Sequence, residues 1–289
     1  SFILLLNGKE LYFMIYIGTH SSSSRGYTDM AEQAHRIGAD TFAFFTRNPR
    51  GGNAKKISEQ DIKTFLTLSE KYHFGAFVAH APYTMNPCAA KPELREFAQN
   101  MMIDDLNRLE YTPRNYYNFH PGSHVGQGIE TGIAYTAAML NTALSPEQST
   151  IVLVETMAGK GTEIGRTFEE IREILDRVKL SDKIGVCLDT CHIWDGGYDI
   201  VHNLDAVIQK FDSIIGLNRL KAVHLNDSMN ELNSHKDRHQ KIGQGCIGSD
   251  ALKRVVNHPA FQGLPFILET PNDEEGWAKE IAMIHSWFE

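Results

Sequence analysis

Nine side chains of the types that bind divalent metals occur at regular places along the chain. Five are histidines and four are carboxylates: His80, His120, Glu155, Asp189, His192, His224, Asp237, His239 and Glu269. Six of them lie at or near the end of a short apolar run, as Glu155 does after Ile151-Val152-Leu153-Val154. A buried carboxylate is costly without a partner, so such a run should end beside a positive charge. Imidazole together with carboxylate favours Zn, Mn or Fe over Mg or Ca.

Each of these residues taken alone has an ordinary structural interpretation. A histidine at a strand end is more often a hydrogen-bonded structural residue, and Asp237-Arg238-His239 is a common type of polar loop. The repetition at six successive strands is what indicates a metal cluster. The remaining histidines are expected to scatter over the structure: His20, His35, His73, His124, His202, His235, His258 and His285. A catalytic zinc takes about three protein ligands, so nine ligands that share one carboxylate suit three ions.

Eight apolar runs predict the strands that would position these ligands. They cover residues 14–18, 41–45, 76–80, 116–120, 151–155, 185–189, 222–226 and 265–269. Helical patterns fill the gaps, with Ser58, Thr167 and Ser249 as candidate N-caps. This alternation predicts an α/β fold, a (β/α)8 TIM barrel with its site at the C-terminal ends of the strands. An open doubly wound sheet is the alternative, but Gly18-Thr19-His20-Ser21 lacks the further glycines of a phosphate-binding loop.

Length and composition fit a single catalytic domain. We expect that domain to cover residues 14–289, with residues 1–13 as an N-terminal extension or an expression remnant. No apolar stretch approaches the ~18 residues of a membrane span. Four irregularly spaced cysteines do not suggest a disulfide framework, so we expect an intracellular, cytoplasmic protein. Cys187 and Cys191 are interpreted as packing residues. The net charge of −8 by itself argues against nucleic-acid binding.

The motifs that contain these nine residues resemble those of the endonuclease IV family, the trizinc apurinic/apyrimidinic (AP) endonucleases of base-excision repair. The similarity extends over the whole predicted barrel. It rests on His80-Ala81-Pro82-Tyr83, Asn118-Phe119-His120-Pro121-Gly122-Ser123-His124, Gly185 to His192 with Gly197-Tyr198-Asp199, His224-Leu225-Asn226-Asp227-Ser228, Asp237-Arg238-His239 with Gly243-Gln244-Gly245, and Ile267-Leu268-Glu269-Thr270.

The resemblance implies three Zn²⁺ ions, with Mn²⁺ or Fe²⁺ as alternative occupants of part of the cluster. The first ion would take His80, His120 and Glu155. Glu155 would bridge to the second ion, which would also take Asp189, His224 and Glu269; the third would take His192, Asp237 and His239. Glu155 and Glu269 are the catalytic candidates, Glu269 as the residue that orients the attacking water. Three divalent ions would change the formal net charge from −8 to −2.

The implied reaction is hydrolysis of the phosphodiester on the 5′ side of an abasic site in double-stranded DNA. It leaves a 3′-hydroxyl and a 5′-deoxyribose phosphate, and removal of 3′-blocking groups is expected as well. Metal ions make hydroxide available near neutral pH, so no side chain has to act as the nucleophile. Phosphates would be drawn to basic residues expected on the loops of the mouth: Arg47, Arg50, Lys55, Lys56, Lys160, Lys236, Arg238 and Lys241.

The sequence departs from the family pattern where DNA would be held open. Thr84 stands where an apolar wedge is usual, and Gly51 and Gly52 follow Arg50 without an aromatic residue. Arg50, Tyr83 and Arg238 are therefore the candidate DNA contacts. Arg50 and Tyr83 could fill the gap left by a flipped lesion, although a solvated loop arginine and a packed tyrosine are equally good interpretations of these two.

Two other functions compete with the nuclease. A sugar isomerase or epimerase of the xylose-isomerase-like barrels shares rim histidines and carboxylates but has no use for His192, Asp237 and His239. A metal-stabilised protein that binds lesions without cutting is the other alternative, although mixed open sites are catalytic in type. We expect no membrane association and no obligate protein partner, and thus a monomer, nucleoid-associated if bacterial.

Overall fold

A closed barrel of eight parallel strands forms the centre of the molecule. The computed structural model describes residues 2–6, 9–13, 15–49, 54–113 and 115–288. In these residues the strands are β1 (Phe2–Leu6), β2 (Lys9–Phe13), β3 (Tyr16–Ser21), β4 (Ala43–Phe45), β5 (Val78–His80), β6 (Tyr116–Phe119), β7 (Ile151–Glu155), β8 (Ile184–Asp189), β9 (Leu220–His224), β10 (Asp227–Ser228), β11 (His239–Gln240) and β12 (Pro265–Leu268). The barrel follows the order β12-β3-β4-β5-β6-β7-β8-β9, while β1 pairs with β2 and β10 with β11 in separate antiparallel ribbons.

Helices connect the barrel strands, as the sequence predicts. They are α1 (Tyr27–Arg36), α2 (Glu59–Lys71), α3 (Pro92–Leu109), α4 (Ile129–Ala143), α5 (Phe168–Asp176), α6 (Thr190–Asp195), α7 (Leu204–Ile214), α8 (Ser249–Asn257) and α9 (Glu274–Ser286). The Ser58 and Thr167 side chains cap α2 and α5 by accepting backbone N–H bonds. The cap predicted at Ser249 is wrong: Gly248 occupies the N-cap and Ser249 is the first helical residue.

Two apolar layers hold the barrel together. A small inner cluster fills its interior with Ala43, Val78, Leu153, Cys187, Ala222 and Ile267, all fully buried. A larger outer cluster packs the opposite faces of the strands against the helices, with Phe42, Phe65, Tyr117, Phe168 and Phe266 among its largest members. Because both faces of each strand are buried, the strands read as nearly continuous apolar runs, and a polar residue at a strand end stands out.

The strand boundaries differ from the prediction most at the first strand. The apolar run at 14–18 predicts an end at Gly18, but β3 continues to Ser21 because His20 and Ser21 pair with Ala43 and Phe44 of β4. Met14 lies outside the described residues. At the seventh strand the prediction runs too far, since β9 ends at His224 and not at residue 226. The fifth barrel strand, β7, begins and ends at the predicted residues, Ile151 and Glu155. In the predicted N-terminal extension, β1 and β2 pair in antiparallel orientation, which the sequence did not lead us to expect.

None of the helices in the described ranges combines the length and the apolar character that a membrane crossing requires.

Candidate metal centre

Strand register brings the predicted ligands to one rim of the barrel. His80 is the last residue of β5 and pairs with Asn118 of β6, while Glu155 ends β7 opposite Cys187. Between β8 and β9 the register shifts at Val186 and Cys187, and beyond the shift Asp189 lies directly opposite His224. Parallel strands end at a common edge, so side chains at their last positions converge there.

Glu155 lies at the centre of this rim and is fully buried. Its Oε2 lies 3.4 Å from His80 Nε2 and 3.3 Å from His120 Nε2. Its Oε1 lies 3.2 Å from His224 Nδ1 and also 3.2 Å from His192 Nδ1. One carboxylate therefore faces imidazole nitrogens from four other segments, a geometry that suits a bridging residue.

All nine predicted ligands fall into three adjoining groups that could each hold a cation. In each group the ligand atoms lie within 4.8 Å of one another. The groups are His80, His120 and Glu155; Glu155, Asp189, His224 and Glu269; and His192, Asp237 and His239. Two further groupings share these atoms, one of His80, His224 and Glu269 and one that adds Cys191 to Asp189 and His239. The nine residues thus form one continuous cluster.

Hydrogen bonds to backbone carbonyls orient the imidazoles. His80 Nδ1 lies 2.7 Å from the carbonyl oxygen of Ala81, and His239 Nδ1 lies 3.4 Å from that of Glu269. With a proton on Nδ1, the Nε2 lone pair of each ring is left as a ligand. In both residues Nε2 is buried and makes no hydrogen bond. Buried polar atoms are normally bonded, so these two nitrogens fit a cation that accepts their lone pairs.

The charge balance of the cluster also fits cations. Burial would raise the pKa of Glu155, but His224 and His120 outweigh burial and hold that pKa well below its ordinary value. Burial likewise opposes ionisation of Asp237, whose pKa is nevertheless lowered through its hydrogen bond to His192. Both carboxylates therefore remain ionised at neutral pH, the form in which a carboxylate binds a cation. The donor set of imidazole and carboxylate suits Zn, Mn or Fe.

Two asparagines that hydrogen-bond the predicted ligands were not singled out from the sequence. Asn118 Nδ2 donates to Glu155 Oε2 at 2.5 Å, and Asn226 Nδ2 donates to Asp189 Oδ2 at 2.8 Å. Asn226 also accepts the backbone N–H of Glu269 at 2.8 Å. Such outer partners fix the ligands they touch. Their positions in the sequence indicate this role, because each asparagine lies two residues from a predicted histidine ligand, Asn118 from His120 and Asn226 from His224.

His20 corrects the prediction that the remaining histidines scatter. Its Nε2 lies 2.8 Å from Glu269 Oε1, and its ring centroid is 5.6 Å from that of His80. The prediction failed because it ended the first strand at Gly18. With β3 extended to Ser21, His20 reaches the same rim as the predicted ligands and contacts the carboxylate of Glu269.

The two cysteines near the cluster have the character of buried thiols. Cys187 belongs to the inner core, and burial raises its pKa to about 11. Burial also raises the pKa of Cys191, although its Sγ lies close enough to Asp189 and His239 to form a ligand group with them. A thiol binds metal as the thiolate, so a raised pKa favours the packing interpretation for both.

Two of the candidate DNA contacts, Tyr83 and Arg238, are exposed and lie outside the buried cluster. Tyr83 is 59% exposed, yet its ring centroid lies 5.8 Å from that of His80 and 5.7 Å from that of His120. Arg238 is exposed between two predicted ligands, whereas Arg50 lies outside the described residues together with Gly51 and Gly52. Thr84 is exposed next to Tyr83.

Arg47 does not face solvent as its place among the basic residues of the mouth predicts. Its side chain is only 9% exposed, and its guanidinium binds the carboxylates of Asp104 and Asp105. Asp105 is itself fully buried and also accepts hydrogen bonds of 2.7 Å from Thr46 Oγ1 and Tyr117 Oη. Arg47 is thus an anchor for the β4–α2 loop and is already paired.

Comparisons with known proteins agree with this architecture. Residues 31–287 match the model of a family described as xylose isomerase-like TIM barrel. A probable endonuclease 4 of Clostridium beijerinckii is 60% identical over 276 residues, which cover 96% of this chain and 100% of that relative. Endonuclease IV from Thermus thermophilus superposes with a TM-score of 0.85 at 32% identity, covering 94% of this chain and 98% of that one. A D-tagatose 3-epimerase-like protein shares the fold, with a TM-score of 0.69 at 18% identity.

Proposed function

Because this chain belongs to the endonuclease IV family, we propose that it is a metal-dependent AP endonuclease of DNA repair. It hydrolyses the phosphodiester 5′ to an abasic site in duplex DNA and leaves a 3′-hydroxyl and a 5′-deoxyribose phosphate. We extend the activity to 3′-blocking groups that are attached to the 3′-oxygen through a phosphate, because their removal also hydrolyses a phosphate ester at that oxygen. The observation that supports it most is the set of three adjoining ligand groups around the buried Glu155.

Three zinc ions are the proposed cofactors, one for each group, with Mn²⁺ or Fe²⁺ as alternatives in part of the cluster. His80, His120 and Glu155 hold the first; Glu155, Asp189, His224 and Glu269 hold the second; His192, Asp237 and His239 hold the third. When bound, the ions supply an ionised water and Lewis acidity toward a phosphate.

The chain's own residues prepare the site for that chemistry. Glu155 keeps the first two groups adjacent, because its two oxygens face histidines of both groups. Glu269 is the proposed residue that orients the attacking water. It directly follows β12 at the rim, with Oε1 at 2.8 Å from His20 Nε2 and Oε2 at 3.1 Å from His224 Nδ1, so its carboxylate has a fixed direction.

DNA binding is assigned to the loops around the cluster. Tyr83 presents an exposed ring beside the first ligand group, and Arg238 is exposed beside the third. Arg50 completes the proposed contacts. Exposed lysines such as Lys160 add positive charge near the mouth, so binding should weaken as salt rises. We further propose that the protein acts as a monomer on intracellular DNA, and that it is nucleoid-associated if it is bacterial.

The sugar-epimerase alternative receives support only from the shared fold, since the similar epimerase-like structure is 18% identical. The third ligand group, His192, Asp237 and His239, favours the nuclease. A cation in this group would add to the charge that stabilises the phosphate and the leaving oxygen during phosphodiester cleavage.

The test is incision of a duplex oligonucleotide that carries one tetrahydrofuran abasic analogue. The analogue cannot undergo β-elimination, so a cut at the lesion must be hydrolytic. We expect a single cut 5′ to the lesion, none in the undamaged duplex, loss of the cut after prolonged chelation, and its return with zinc. Failure of the zinc-loaded protein to cut, with binding retained, would support a lesion-binding protein that does not cleave. Turnover of a ketohexose without incision would support the epimerase.

A further inference from the structure

Helix α6 carries a buried carboxylate for which the proposed reaction has no role. Asp195 is the last residue of this helix and is fully buried, one turn beyond the third-group ligand His192. A fully buried carboxylate is costly unless its oxygens are used. Its partners therefore indicate what it does.

The carboxylate of Asp195 binds both ends of the segment that leads to the third group. Oδ1 accepts a hydrogen bond of 2.7 Å from Ser228 Oγ, at the start of the segment. Oδ2 accepts the backbone N–H of Asp237 at 2.8 Å, at its end, and Asn230 Nδ2 at 3.3 Å. All three donors converge on one side chain.

The segment between these ends has an unfavourable backbone. Asn233, His235 and Asp237 have φ values of 65°, 55° and 54°, in the left-handed region that side chains with a Cβ rarely adopt. Each of the three backbone N–H groups is bonded to the end of α6. Asn233 N donates to the Trp194 carbonyl at 3.1 Å, and His235 N to the Asp195 carbonyl at 3.0 Å. Asp195 accepts the third, from Asp237, with its side chain.

The conformation of Asp237 decides whether the third group exists. From its left-handed backbone, Asp237 places Oδ1 3.1 Å from His192 Nε2 and 3.6 Å from His239 Nε2. An extended or right-handed backbone at this position would turn the side chain away from both imidazoles, because φ sets the direction of the Cα–Cβ bond relative to the chain.

We propose that Asp195 is a positioning residue that assembles the third cation site by holding Asp237 in its left-handed conformation. The inference rests on the proposed function, since it takes His192, Asp237 and His239 as cation ligands. Asp195 itself contacts neither the cation nor the DNA. Its role is to couple α6, which provides His192, to the segment that provides Asp237.

The test compares zinc binding by the wild-type protein with binding by Asp195→Ala and by Asp61→Ala. Asp61 is the matched control, because its carboxylate also accepts backbone N–H groups, from Tyr27 at 2.7 Å and Thr28 at 3.0 Å, in a different part of the barrel. Each protein is stripped of metal, reloaded with zinc and titrated against a chromophoric chelator, and its metal content is measured independently.

We expect three zinc ions in the wild type and in Asp61→Ala. Asp195→Ala should retain two, with the third bound at least about tenfold more weakly, the usual effect of losing an outer partner. Asp195→Asn should bind the third ion with near wild-type affinity, because its side-chain oxygen can still accept the Asp237 N–H while its amide faces Ser228 Oγ. A purely structural loss would lower all three affinities, and Asn would not restore one site selectively.

Unchanged binding of the third ion by Asp195→Ala overturns the inference while leaving the proposed function intact. A wild-type protein that binds fewer than three ions contradicts the proposed function instead. If Asp195→Ala does not fold, amide exchange on the zinc-free wild-type chain decides the question. The Asp237 and His235 amides should be protected there, and rapid exchange of both in the folded protein overturns the inference.

Discussion

The buried ligand cluster and the loops around it are built in different ways. Within the cluster, Glu155 faces histidines from four other segments and is fully buried, so each ligand limits the positions of the others. The surrounding loops present single residues to solvent, as Tyr83 does with 59% of its surface exposed. The cluster is therefore set by barrel register, whereas each loop depends on a few contacts of its own.

This difference separates the two parts of the proposed reaction. Register and burial place the proposed cation ligands before any substrate arrives, which is the preorganisation that metal-assisted hydrolysis requires. Loops that hold DNA must instead tolerate a change in contacts when the lesion is flipped. Changes in the cluster should consequently lower the rate of the chemical step, and changes in the loops should act mainly on substrate binding.

The largest effect is expected for Glu155→Gln. The amide removes the negative charge shared by the first two ligand groups and presents an NH2 group to an imidazole, so kcat on the tetrahydrofuran duplex should fall by about 100–1000-fold or more. Glu110→Gln is the matched control, since Glu110 binds the Ser149 backbone N–H at 2.9 Å away from the cluster. Cleavage by Glu155→Gln at close to the wild-type rate, with the fold verified by circular dichroism, would rule out the bridging role.

The same contrast explains which features can be predicted from the sequence. Eight strands, the barrel and the convergence of six of the nine clustered side chains follow from apolar runs that end in ligand types, because parallel strands bring their ends to one rim. The catalytic and ligand roles of these residues stay predictions. His20 was missed because β3 continues through polar residues, and pairing with β4, rather than apolarity, decides where it ends.

Contacts between distant segments could not be predicted in this way. In the sequence, Arg47 looks like a solvated loop residue. Only the fold shows that the buried Asp105 of α3 binds its guanidinium. Asp195 is similar, since its partner Asp237 is distant in sequence and lies in a left-handed conformation that no local pattern indicates. Hydrophobic periodicity carries no information on such pairings.

A smaller effect, confined to the loops, is expected for Asp105→Asn. Loss of the charge leaves the buried Arg47 guanidinium with only the exposed Asp104 as an ionic partner, which should cost about 3 kcal/mol of unfolding free energy. The β4–α2 loop should shift, raising KM for the lesion duplex about tenfold while kcat and zinc content stay near wild type. Urea unfolding and steady-state kinetics measure both quantities. Asp104→Asn is the control, and it should have only a small effect because Asp104 is exposed. A loss of zinc from Asp105→Asn would contradict the idea that the loops and the ligand cluster are stabilised independently.

The smallest effect is expected for Lys160→Gln, where loop and cluster meet. Lys160 Nζ lies 2.9 Å from Asp237 Oδ2 with its side chain 51% exposed, so it can exchange this partner for a nearby phosphate. Loss of one phosphate contact should reduce the slope of log(kcat/KM) against log[salt] by about one, with only a few-fold loss of activity at low salt. Lys279→Gln is the matched control, because Lys279 pairs with Glu275 at 2.6 Å on α9 and is 73% exposed. An unchanged slope for Lys160→Gln would place Lys160 outside the DNA-binding surface and leave it as a local partner of Asp237.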